Sequence, residues 1–168
     1  MKMLRIKSSK DKEDVHKKYL QRAVDLAVES VKAGGGPFGA VIVKDGSIVA
    51  EAYNSVTLDN DPTAHAEVNC IRKACKALGT FDLSGCVLYA SSEPCPMCLA
   101  SVYWAHLSEL YYANDKKVAA DAGFDDDFIY REFALDASER KLYSRTFGIE
   151  CADKPFRIWN EKDDRTEY

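Results

Sequence analysis

Two short stretches in the middle of this chain carry residue types that can do metal chemistry. Thr63-Ala64-His65-Ala66-Glu67 holds an imidazole followed two positions later by a carboxylate, and Glu93-Pro94-Cys95-Pro96-Met97-Cys98 holds two thiols three positions apart. One imidazole and two thiolates suit zinc, and three protein ligands leave the fourth corner of a tetrahedron open to water or hydroxide. A structural zinc site would need four protein ligands, and the chain has no second Cys-x-x-Cys. A Cys-x-x-Cys pair by itself also suits redox chemistry, but that reading expects a thioredoxin-like context that is missing here. We therefore expect one Zn2+ per chain on His65, Cys95 and Cys98. Zinc draws the pKa of a bound water toward about 7, and Glu67 is placed to take up and return its proton.

These side chains need elements that hold them in place. Val15, Tyr19, Ala23, Leu26, Ala27 and Val31 recur at helical spacing, which predicts a helix over about 13–33, stopped by Gly34-Gly35-Gly36-Pro37. Residues 38–43 and 47–52 read as strands joined through Lys44-Asp45-Gly46, where Asp-Gly signals a hairpin. Residues 54–62 read as a loop leading to His65. Helical spacing resumes over 65–78, a buried strand is expected over 86–90, a helix over 95–105 and a strand over 107–113. Both ligand motifs thus fall at the start of helices, where the partial positive charge favours thiolates. Short helical pieces are expected around Asp125-Asp126-Asp127, a strand over 143–149, and a last helix from Pro155-Phe156. This order predicts an α/β fold, a three-layer helix–sheet–helix sandwich on a central mixed sheet.

At 168 residues the chain suits a single domain, with a leader over 1–12 and a C-terminal segment from about 150 to 168. A net charge of −4 argues against nucleic acid as a partner, since phosphate binding usually shows as a basic face. No apolar run approaches the roughly 20 residues that a membrane span needs. The basic N-terminus lacks a signal-peptide core, so the six cysteines are expected to be reduced thiols or metal ligands, and the cytoplasm is the expected compartment. Cys70 and Cys75 fit the helical core pattern, Cys86 opens a strand and Cys151 lies in the tail. His16 reads as a surface residue among lysines, and His106 sits at a helix end.

Gly36-Pro37-Phe38-Gly39-Ala40-Val41, Asp61-Pro62-Thr63-Ala64-His65-Ala66-Glu67 and Glu93-Pro94-Cys95-Pro96-Met97-Cys98 resemble the cytidine and deoxycytidylate deaminase superfamily. Within it, the chain most resembles the bacterial guanine deaminases, a likeness that runs from about residue 19 to residue 168 and includes Gly123-Phe124-Asp125-Asp126 and the terminal tyrosine. Ser91-Ser92 departs from many relatives, which carry a cysteine beside the glutamate. The resemblance implies hydrolysis of guanine, a small purine, to xanthine and ammonia. It also implies homodimers with exchanged C-terminal segments. It assigns Asn54 to hydrogen-bond the base, Phe38 and Trp104 to pack on it, and the amide of Ala66 to meet its polar edge. Asp126 joins Glu67 in catalysis by engaging the amino or ring-nitrogen side, and Tyr168 reaches over from the exchanged tail. By residue type alone, Phe38 equally suits the hairpin core, Trp104 a helix face, Asp126 a solvated acidic turn and Tyr168 a frayed end. A tRNA adenosine deaminase, or a deaminase of guanosine or cytosine, shares the metal motif. A zinc-dependent binding module would share the ligands but would not require Glu67.

Overall fold

The hairpin that begins at Gly39 is the centre of the fold. In the computed structural model, which describes residues 9–168, β1 (Gly39–Lys44) and β2 (Ser47–Tyr53) pair antiparallel across a turn in which Asp45 and Gly46 both take positive φ. That is the backbone an Asp-Gly hairpin turn requires. β1 also pairs antiparallel with β3 (Cys86–Ser92), which pairs in parallel with β4 (Glu109–Asn114), giving a four-stranded mixed sheet in the order β2-β1-β3-β4. The parallel step crosses over through α4 (Pro96–Trp104).

Side chains alternate across β1 and β3, and each set meets a helix layer. Ala40, Ile42, Cys86 and Leu88 pack with Ala66, Cys70 and Ala74 of α3 (Ala66–Leu78) and with Val102 of α4. Val41, Val43 and Tyr89 pack on the other face with Tyr19, Ala23 and Leu26 of α1 (Ser9–Ala33). Gly39 has to be glycine: a Cβ there would lie 2.2 Å from the Ala23 carbonyl oxygen and 2.6 Å from the Ala27 nitrogen. The backbone of α1 therefore rests directly on the start of β1. The expected three-layer α/β sandwich is present in this part of the chain.

The described residues divide into two units, one ending at Asp126 and one from Asp127 to Tyr168. The first also contains α2 (Val56–Asp59), a single turn inside the expected loop, and α5 (Lys116–Asp121). The second holds α6 (Asp127–Ala134) and α7 (Lys154–Glu161). The expected strand over 143–149 is not formed; that backbone is irregular and Tyr143, Phe147 and Ile149 are exposed. Aromatic and β-branched residues favour strands only where a neighbouring strand offers a ladder, and none is paired here.

Of the expected leader, residues 1–8 lie outside the described residues, while residues 9–12 already belong to α1. His16 is not the surface residue its lysine neighbours suggest. It is half-buried, its Nδ1 stands 2.9 Å from the Tyr89 hydroxyl, and its ring lies 4.2 Å from that of Tyr111. Among the described residues, no helix is long and apolar enough to cross a membrane.

Candidate functional site

The two ligand motifs meet because two helix N-termini converge at the end of the sheet. His65 is the N-cap of α3 and Cys95 the N-cap of α4, both in extended backbone, with Pro96 opening α4. Proline suits that place because the first helical N–H has no partner within the helix. Neither cap residue spends its side chain on capping. Each is turned toward the other motif instead. His65 Nδ1 lies 3.5 Å from Cys95 Sγ and 3.5 Å from Cys98 Sγ, and all three donors fall within 4.8 Å of one another. Tetrahedral zinc with bonds of about 2.3 Å to sulfur and 2.05 Å to nitrogen would hold those atoms roughly 3.6 Å apart. The residues present fit zinc.

The electrostatics suit a cation. Hydrogen bonds from Cys98 and then His65 push the Cys95 thiol down to about 4, against a desolvation that pushes it up. Cys98 moves the opposite way, because it supplies the proton that the Cys95 sulfur shares and is itself buried. His65 is raised, chiefly by its hydrogen bond with Cys95. Two helix N-termini add partial positive charge around the sulfurs.

Glu67, in the first turn of α3, is buried and takes a hydrogen bond from Cys98 Sγ at 3.3 Å. Burial pushes its carboxyl upward, outweighing backbone and Cys98 hydrogen bonds that act the other way. A carboxyl lifted toward neutrality is suited to both taking and giving a proton.

Asn54 is buried at the end of β2, and its Oδ1 accepts from the amides of Gly36 at 3.3 Å and Val56 at 3.2 Å. Its orientation is thereby set, with the oxygen committed and the amide nitrogen as the donor. Ala66 is buried at the first position of α3, where a helical N–H has no partner in the helix. Phe38 is half-buried against the core, and its ring meets that of Phe124 at 5.0 Å and 88°. Asp126 is half-buried; desolvation first and the negative charge of Cys95 second push its carboxyl upward, so it lies within electrostatic reach of the ligand set. Trp104 ends α4 and is 64% exposed, and Tyr168 in the second unit is 75% exposed.

Sequence reasoning passed over Asn69. From one turn inside α3, its Nδ2 donates to Tyr53 O, Ser55 Oγ and Ala64 O at 3.2, 2.9 and 3.2 Å. It ties the end of β2 and the residue before His65 to the helix. Its neighbours on that face of α3 are Arg72, Lys73 and Lys76, so a polar residue there carried no signal in the sequence.

A family model for the cytidine and deoxycytidylate deaminase zinc-binding region matches residues 13–114, a span that contains every donor described above. The chain belongs to the cytidine and deoxycytidylate deaminase family. It is 53% identical over 154 residues to the guanine deaminase of Bacillus subtilis (strain 168), covering 91% of this chain and 99% of that protein. The X-ray structure of guanine deaminase from Bacillus subtilis matches with a TM-score of 0.89 over 91% of this chain and 98% of that one. A guanine deaminase from Nitrosomonas europaea is 26% identical, with a TM-score of 0.63 over 75% of this chain and 79% of that one. The tRNA-specific adenosine deaminase of Aquifex aeolicus is 42% identical over 100 residues, 59% of this chain and 66% of that protein. Within this deaminase family, the likeness to the tRNA enzyme is both lower and shorter than the likeness to the Bacillus enzyme.

Proposed function

We propose that the protein hydrolyses guanine to xanthine and ammonia, using one zinc per chain on His65, Cys95 and Cys98 with water at the fourth position. The choice of guanine rests on one observation, the 53% identity to a guanine deaminase across 99% of that protein's length. Bound zinc supplies a Lewis acid that lets water lose a proton near neutral pH. Glu67 takes one water proton and gives it to a ring nitrogen as the oxygen bonds to the amino-bearing carbon. It then takes the second proton from that oxygen and gives it to the amine as the carbon–nitrogen bond breaks and ammonia leaves. Burial raises its carboxyl, which favours giving each proton back.

The base is held from several sides. Asn54, its oxygen already committed, donates from Nδ2 to an acceptor on the ring. The Ala66 amide donates to the polar edge, Phe38 and Trp104 pack on the faces, and Asp126 engages the amino or ring-nitrogen side. A buried polar set of this kind selects by leaving its groups unpaired with the wrong base. We assign Tyr168 to the partner chain's site, in a homodimer with exchanged C-terminal segments. The exposure of Phe147, Ile149 and Phe156 at 70%, 71% and 71% supports this, because a run of uncovered apolar side chains calls for a partner surface. On this reading the whole chain serves one catalytic domain. Six free thiols, two of them ligands, fit the cytoplasm.

The test is a screen of purified protein against purine and pyrimidine bases, their nucleosides and tRNA, following ammonia and, for guanine, the absorbance of xanthine. Guanine turnover is expected. Turnover of cytosine, or of adenosine in tRNA, without guanine would overturn the choice of base, and bound zinc with no turnover of any of them would favour a binding module.

A further inference from the structure

The ring of Phe38 meets that of a residue to which neither the resemblance nor the proposed function gives a role. The backbone of Phe38 is well anchored: its N–H donates to Gly36 O at 2.8 Å and its carbonyl accepts from the Asn54 amide at 2.9 Å. Those bonds place the Cα but leave the ring to be set by what it touches. It packs against the core cluster and, ring to ring, against Phe124, at a centroid distance of 5.0 Å and an interplanar angle of 88°. An edge-to-face pair is directional, because the positive edge of one ring meets the negative face of the other.

The backbone of Phe124 is fixed just as firmly. Asp115 caps the start of α5 by accepting from Val118 N at 3.2 Å. At the other end Gly123 turns into the left-handed region at φ +93°, its N–H donates to Ala120 O at 2.9 Å, and the Phe124 N–H donates to Ala119 O at 2.9 Å. These two bonds form a Schellman cap, which stops a helix and sets the direction of the residue that follows. The capped turn sends Phe124 to Phe38, and both rings line a cavity of about 440 Å³ shared with Val24, Ala27, Val118 and Ala122. Asp126 follows two residues later in the same irregular stretch.

We infer that Phe124 is a positioning residue for substrate: through its edge-to-face contact it sets the plane of Phe38 against which the base stacks. The inference rests on the assignment of Phe38 to the base under the proposed function. Phe124 itself touches no reacting atom. Its loss lets the Phe38 ring turn, which weakens stacking and leaves the chemical step in place.

A double-mutant cycle on KM and kcat tests this, with variants at Phe124 made in the wild type and in a Phe38→Leu background. Phe124→Ala is expected to raise KM by up to about tenfold, the scale of an aromatic pair, and to lower kcat by much less. Phe124→Tyr, which keeps the ring, is expected to hold the wild-type KM. In the Phe38→Leu background the effect of Phe124→Ala on KM should disappear. Where the alanine variant fails to fold, Phe124→Leu, which keeps most of the apolar volume, carries the cycle. An unchanged KM in the singly substituted protein overturns the inference. So does the same fold-rise in both backgrounds, or a loss of active fraction and thermal stability with KM unmoved. The cycle is run on whichever base the wild type turns over in the screen. A wrong choice of guanine thus shows in the wild type and leaves the ring coupling measured.

Discussion

Glu67 and the zinc donors differ in what their removal should do. Glu67 lies beside the donors without being one of them, so Glu67→Gln is expected to keep its metal while turnover falls by roughly 10²- to 10⁴-fold, the range for a lost acid–base group. Ammonia release together with metal content checks this, and near-normal turnover would remove Glu67 from the mechanism. The neighbouring serines make a second comparison at this scale. Both are buried, but Ser91 Oγ accepts from the Gly39 amide at 3.0 Å, whereas Ser92 Oγ has no hydrogen-bond partner among the described residues. Ser92→Ala should therefore leave the melting temperature unchanged or raise it. Ser91→Ala strands a buried N–H and should cost about 1–3 kcal/mol. Thermal unfolding of the two variants decides, and a loss at Ser92 as large as that at Ser91 would show that Ser92 is bonded in solution. Nothing in the dipeptide Ser91-Ser92 separates the two, whereas His65, Glu67, Cys95 and Cys98 announce themselves by type and spacing.

At the scale of elements, most of the first unit could be read from local signals. Asp45-Gly46 marked the hairpin, Gly34 through Pro37 ended α1, and the helix expected over 95–105 is α4, with Glu93-Pro94 at its entry. The strand expected over 143–149 failed because strand formation depends on a partner that residue preference does not supply. The Asn69 clamp and the seat of His16 under α1 were hidden for the same reason, since each depends on residues distant in sequence. So does the tie between α1 and β2, where Arg22 donates from Nε and its terminal nitrogen to the two Glu51 oxygens, both at 2.9 Å. Each side chain is about one-third exposed, so solvent screens the pair, and Arg22→Met should cost no more than about 1 kcal/mol near pH 7. The hydrogen bond from Arg22 is the main reason that the Glu51 carboxyl lies below its usual value. The contribution is therefore present above the ordinary carboxylate pKa of about 4.3 and lost as pH falls through the lower folded value. Urea unfolding of both proteins across that range should show the two stabilities converging in acid; a constant gap would assign the loss to packing.

For the molecule as a whole, the decisive question is what the segment from Asp127 onward does. If it completes a partner's site, a chain ending before residue 150 should fold and carry zinc, lose dimer mass in light scattering, and show a KM for guanine raised by about tenfold, the scale of one good contact. Unchanged mass and kinetics would make the segment only a tail. What the sequence determined without help is the chemistry and the layer order. Ligand type and spacing are local properties, and so are the caps and the alternation that build helices and strands around them. Only the tertiary structure decided which of two identical serines is bonded, which asparagine clamps the ligand loop, and which phenylalanine faces Phe38. Those outcomes depend on close packing between segments as far apart as Phe38 and Phe124, where a shift of an ångström makes or breaks a contact.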